Sequence, residues 1–145
     1  MMISWKKIAE ADLNDYALQR ESLPALKRKI ACITASMTAI KGRKSDSAPV
    51  SGGTSKYEDS LISAIVLKEK LLKNYKVSAK AVAEIEKGLS GIPEEQRRVL
   101  ELWYIENGGY EKVMRKLNIE KSGAYRRKDE ALRAFTIAMY GITEF

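Results

Sequence analysis

The sequence predicts an all-α protein: an N-terminal helical hairpin, resembling an antiparallel coiled coil, then a C-terminal helix-turn-helix module. Three observations carry this. Apolar residues recur at spacings of three and four on either side of residues 43–55, the period of a helix with one buried face. Residues 43–55 are rich in Ser, Gly and Pro and have no periodicity, so they read as a flexible loop between two long helices. Beyond Ile92, the breaks at Asn107-Gly108-Gly109 and at Asn118 cut the pattern into three shorter helices, the layout of a helix-turn-helix.

In chain order, residues 3–20 read as a helix with Trp5, Ile8, Ala9, Leu13, Tyr16 and Ala17 on one face. Ser22-Leu23-Pro24 either interrupts it, with Ser22 capping a new helix, or kinks it gently. Leu23, Leu26, Ile30, Ile33, Met37 and Ile40 then form a narrow heptad seam. Lys41-Gly42 is the expected stop. Residues 56–91 predict a long helix pairing back on residues 23–41, with a seam of Leu61, Ile65, Leu72, Tyr75, Ala79, Val82 and Leu89. Lys68 is the polar intruder at a seam position. Two helices bury little surface, so the hairpin needs either the N-terminal helix or a second subunit. Gly88 and Gly91 end the long helix and lead into the module, residues 92–145.

The module opens at Pro93-Glu94-Glu95, where proline suits a first turn and carboxylates face the positive helix end. Leu100, Tyr104 and Ile105 supply its apolar face. A short helix fits residues 110–117, with Tyr110, Val113, Met114 and Leu117 on one side. Asn118 suits a turn requiring positive φ, and Ile119 plugs the gap between helices. A basic helix starts near Glu120 or Lys121 and runs to about Tyr140, with Gly141 as terminator. Trp103 falls beside Leu100 and Tyr104, which places it in the core; exposure would instead mark a protein-contact surface.

Of 145 residues, 45% are apolar and 31% charged, the balance of a folded soluble protein. The net charge of +7 suits a polyanionic partner; on charge alone, DNA, RNA and a membrane surface fit equally. Most of the excess lies in residues 1–92, at +6, against +1 for residues 93–145. Locally, residues 121–133 carry five basic side chains against Asp129 and Glu130. There is no histidine and one cysteine, Cys32. A zinc finger is therefore excluded, and no metal site or cofactor is expected. Without a histidine, a nucleophile motif, a glycine-rich phosphate loop or a convincing carboxylate pair, the chain does not read as an enzyme. The first fifteen residues lack the apolar core of a signal peptide, and no apolar run approaches membrane-spanning length. A cytoplasmic protein is expected.

Residues 92–132 resemble the C-terminal DNA-binding region of bacterial sigma factors through Leu100, Tyr104 and Ile105, Tyr110-Glu111-x-Val113, Leu117-x-Ile119 and Ala131-Leu132. The whole chain resembles phage late transcriptional regulators of the ArpU and RinA type. That resemblance implies a sequence-specific DNA-binding transcription regulator, a late-gene activator of phage or prophage, with double-stranded DNA as partner and N-terminal helices that either form a homodimer or contact RNA polymerase. It puts Lys121, Ser122 and Arg126 at base-reading positions and Tyr125 and Lys128 nearer the DNA backbone. Lys112 and Arg115 are placed to anchor phosphates, and Arg127 flanks the reading helix. Departures from the sigma pattern are Met114 where a small residue is usual, Glu120 in place of a Ser or Thr cap, Gly123 inside the third helix, and Arg127 at an apolar position. Two other functions fit the layout: a sigma-like factor binding core polymerase directly, and a phage packaging protein of the small-terminase type. In small terminases, however, the DNA-binding module usually comes first.

Overall fold

A computed structural model describes residues 3–46 and 53–141, which are all-α, with no strand among them. The elements are α1 (Trp5–Asp46), α2 (Gly53–Ser90), α3 (Glu94–Leu100) running into a π-helical turn (Glu101–Ile105), α4 (Gly109–Leu117) and α5 (Lys121–Tyr140). They make two compact units. One gathers residues up to Arg20 with those from Lys80 onward; the other is Glu21–Ala79. No helix among the described residues is long and apolar enough to cross a membrane.

Of the two alternatives at Ser22-Leu23-Pro24, the interruption is absent and the single long helix holds: α1 carries Pro24 inside it. Proline removes one N–H and frees the carbonyl four residues back. Here Pro24 and Arg20 are both exposed, so solvent can take up that carbonyl. Gly42 does not stop the helix either, because α1 continues to Asp46; an interior glycine costs only about 1 kcal/mol relative to alanine. With α2 beginning at Gly53, the expected loop over residues 43–55 is helical at both ends. Its centre, residues 47–52, lies outside the described residues.

In the unit Glu21–Ala79, α1 and α2 run antiparallel. Lys27 Nζ lies 5.7 Å from the Tyr75 ring centroid, while Leu67 and Leu71 share a cavity of about 680 Å³ with Cys32 and Ile33. The α1 seam is as expected, with Leu23, Leu26, Ile30, Ile33, Met37 and Ile40 half-buried. The α2 seam agrees in part, with Leu61, Lys68, Tyr75 and Ala79 half-buried as expected. Its half-buried row is Leu61, Ala64, Lys68, Leu71, Tyr75 and Ser78, while Ile65 and Leu72 are exposed. α2 carries two apolar rows, and residue spacing alone cannot say which one meets α1. No described residue of this unit is fully buried.

The other unit holds every fully buried apolar side chain of the described residues. α1 contributes Ala9, Leu13 and Tyr16, and α2 contributes Val82, Ile85 and Leu89. The C-terminal helices supply Val99, Leu100, Leu102, Tyr104, Val113, Ala124, Ala131, Leu132 and Phe135. The start of α1 is held by polar links at the rim of this core. Tyr104 Oη donates to Glu10 Oε2 at 3.0 Å, Tyr16 Oη to Glu86 Oε1 at 3.1 Å, and Tyr140 Oη to Asp12 Oδ2. Trp5 packs on Tyr140 at 5.2 Å between centroids. Burial is the main cause that raises the phenol pKa values of Tyr104 and Tyr140, with the facing carboxylates adding to it. Both therefore stay protonated donors.

Candidate nucleic-acid interface

The platform beneath the basic helix is built from local signals. Pro93 is extended (φ −57°, ψ 146°) and precedes Glu94 and Glu95 in the first turn of α3. The helix then widens into the π-helical turn, closed by Glu106 N–H on the Glu101 carbonyl at 2.8 Å. An inserted residue of this kind turns the following side chains around the axis; here Leu102 and Tyr104 are both buried, in addition to Val99 and Leu100. Asn107 and Gly109, at φ 54° and 58°, make the break before α4. Asn118 is left-handed at φ 54°, ψ 52° and ends α4. Its N–H and that of Ile119 both donate to the Met114 carbonyl, which satisfies the helix end. Glu120 is extended and makes no side-chain cap bond as α5 begins. α5 packs against both α3 and α4.

Helical phase sorts the side chains of α5. Ala124, Lys128, Ala131, Leu132, Phe135 and Thr136 face inward, whereas Lys121, Ser122, Tyr125, Arg126 and Arg127 are exposed. Ser122, Gly123, Arg126 and Arg127 line an open concavity of about 460 Å³ with Ile119 and Glu120. Arg115, also exposed, lines a second depression with Lys112 and Lys116. Arg115, Arg126 and Arg127 make no ion pair among the described residues.

Lys128 is the correction to the expected set. It is only 7% exposed, so its side chain packs inward and does not stand on the exposed face of α5. Its ammonium group lies 3.0 Å from Asp129 Oδ1, 5.2 Å from the Trp103 ring centroid and 5.6 Å from that of Tyr125. Lys6 reaches the same carboxylate oxygen at 3.3 Å. Burial pushes the Asp129 carboxyl up, but Lys128 and then Lys6 outweigh this and hold its pKa below the usual range. Lys112 is half-buried and bound to Glu106 at 2.7 Å. That hydrogen bond is the main cause keeping the Glu106 carboxyl below its ordinary value, with Arg98 and Lys116 adding to it.

An aromatic cluster that the sequence did not disclose supports the outward face. Tyr125, 40% exposed, stacks on Tyr110 at 5.7 Å and meets Trp103 edge-on at 5.1 Å. Lys121 Nζ sits 4.6 Å above the Tyr110 ring. Trp103 is half-buried, neither in the core nor a free surface residue, and it forms the floor under Lys128 and Tyr125. The available signal was Lys121 and Lys128 spaced one turn either side of Tyr125, but which aromatic rings they meet depends on packing.

The arrangement presents two arginines, a lysine and a hydroxyl on the exposed part of the first two turns of α5, with no group of described residues able to hold a metal ion. Such a surface can donate several hydrogen bonds to acceptor edges or phosphate oxygens. No curated protein and no solved structure matches the chain. Residues 39–136 match a family described as protein of unknown function (DUF1492). That span runs from the last part of α1 through α2, α3 and α4 to Thr136 of α5, most of the chain. The protein is thus a member of the DUF1492 family.

Proposed function

We propose that the C-terminal module binds double-stranded DNA with the first two turns of α5 in the major groove. The protein would then act as a sequence-specific transcription regulator of the phage or prophage late-gene type. The observation that carries this reading is the exposure of Ser122, Arg126 and Arg127 around one concavity, with Lys121 exposed at the start of the same helix, on a helix whose opposite face is fixed in a core. A groove-reading helix needs both properties, since side chains must reach base edges from a platform that does not yield. Arg126 and Lys121 suit the acceptor edge of guanine. Arg115 and Arg127 suit phosphates, which set register without selecting sequence. RNA polymerase is the further partner such a regulator would contact.

Footprinting on the host or prophage genome, followed by titration of the site found, tests this. Arg126→Ala should cost about 1–3 kcal/mol at one base position and relax selectivity there. Arg115→Ala should weaken all sequences alike and lower the salt slope by about one phosphate's worth. Wild-type affinity and selectivity in the double variant Lys121→Ala, Arg126→Ala would dismiss this helix as the reader.

A further inference from the structure

We infer that the outer face of α2 in the unit Glu21–Ala79 is an interface with a second copy of this chain, packed antiparallel with its two-fold axis near Glu69 and Lys70. Ile62, Ile65, Val66, Leu72 and Val77 of α2 are exposed, Ile62 and Val77 by 58% and 60%. At 3.6 residues per turn, Ile62, Val66, Glu69, Lys73 and Val77 fall in a sector about 80° wide, with Ile65 and Leu72 on one flank. That sector lies opposite Ala64, Leu71 and Tyr75, which face α1. The same unit has no fully buried residue among those described. Its two helices therefore leave two apolar patches in water on one face, Ile62 with Val66 and Val77 with the flanking Leu72, separated by Glu69 and Lys73, and exposed apolar surface of this kind can mark an association site.

The order of residues along this row selects the occupant. Read from its N-terminal end, the row is apolar, then Glu69, then Lys70 and Lys73, then apolar. An antiparallel copy sets Ile62 against Val77 of the second copy, lays the Lys73 stem over Val66, and places Glu69 opposite Lys70 twice, once on each side of the axis. A parallel copy would set Glu69 against Glu69 and Lys73 against Lys73, which is repulsive. The face is thus complementary to itself in one orientation. A two-fold contact of this kind is isologous and closes at two copies. Such a dimer does not depend on DNA binding.

Sedimentation velocity on the full chain tests the interface, with helicity followed by circular dichroism to confirm folding. The wild type should sediment as a dimer at micromolar concentration. Ile62→Asp with Val66→Asp should give a folded monomer, because neither side chain supports the chain's own core. Glu69→Lys and Lys70→Glu should each weaken association at least tenfold. The two together should restore it, since the exchanged charges face one another again. In a Cys32→Ser background, oxidation should cross-link Ile62→Cys chains to Val77→Cys chains in a mixture, and neither chain to its own kind. A monomeric wild type, a double charge exchange that fails to restore the dimer, or Ile62→Cys chains cross-linking to each other would each overturn the proposal. A dimer unmoved by the aspartates would do so too.

Discussion

Replacing Lys128 with methionine separates a structural cation from a DNA-contacting one. Methionine keeps the unbranched stem and its packing while deleting the charge. The ammonium group lies 5.2 and 5.6 Å from two ring centroids, and partly exposed cation–π contacts contribute about 0.5–1 kcal/mol each. The pair with Asp129 adds less than about 1 kcal/mol, because that carboxylate is half exposed and keeps Lys6. Relief of the buried charge offsets part of this. A net destabilisation of about 1–2 kcal/mol follows, which for a chain of this size lowers Tm by roughly 3–6 °C. Thermal melting by circular dichroism reads the shift, and fluorescence anisotropy on a bound duplex reads affinity against salt. Affinity should keep its salt slope. An unchanged Tm with a slope reduced by about 0.9 would mean the ammonium meets a phosphate, and the buried role assigned to it would be wrong.

Other outcomes follow from single contacts. Asn118→Gly should fold as the wild type does, whereas Asn118→Ala at this left-handed position should cost about 1–2 kcal/mol by urea denaturation. Gly123→Ala should stabilise the protein by about 0.5–1 kcal/mol: an added methyl group meets only Ile119 at 3.7 and 3.8 Å, ordinary contact. Tyr104→Phe should cost about 1 kcal/mol through the lost bond to Glu10; no change would mean that link does not hold the start of α1. Asp129→Asn bears on pH. A carboxyl held low in the folded state gives stability that is present above its unfolded value near 4 and lost as pH falls through the lower folded one. Wild type should therefore exceed Asp129→Asn in stability at neutral pH, and the gap should close in strong acid. A constant gap would remove the ion pairs as its source.

Features set by one or two neighbouring residues were legible in the sequence. Asn118, the Asn107-Gly108-Gly109 break and the terminator Gly141 all sit where local backbone chemistry puts them. What depended on which face meets which partner was not. On α2 the seven-residue repeat places Leu61, Tyr75 and Ala79 on the covered side but also takes in Ile65 and Leu72, which are exposed, in place of Ala64 and Leu71. The sigma resemblance places Lys128 near the DNA backbone, although Ala124, Lys128, Ala131 and Phe135 keep the four-three-four spacing of an inner row. Lys68 breaks its own row in the same way. The π-helical turn had no cue in composition, since it depends on how Leu102 and Tyr104 both find the core. The links from the start of α1 to Tyr104 and Tyr140 join positions 94 and 128 residues apart, which no local pattern encodes.

That long-range closure governs how the polypeptide can emerge from a ribosome. Asp12 meets Tyr140 across 128 positions, so the earliest helix to be made must wait for almost the last one before its apolar stripe is covered. Loop closure over such a distance is slow to nucleate. A nascent chain stalled before α5 would expose Leu13 and Tyr16, a target for chaperones and proteases. The same dependence dictates where the gene can be cut: a fragment beginning at Ile92 would lack six core side chains, whereas joining residues 1–20 to 80–145 through a short linker would retain them all.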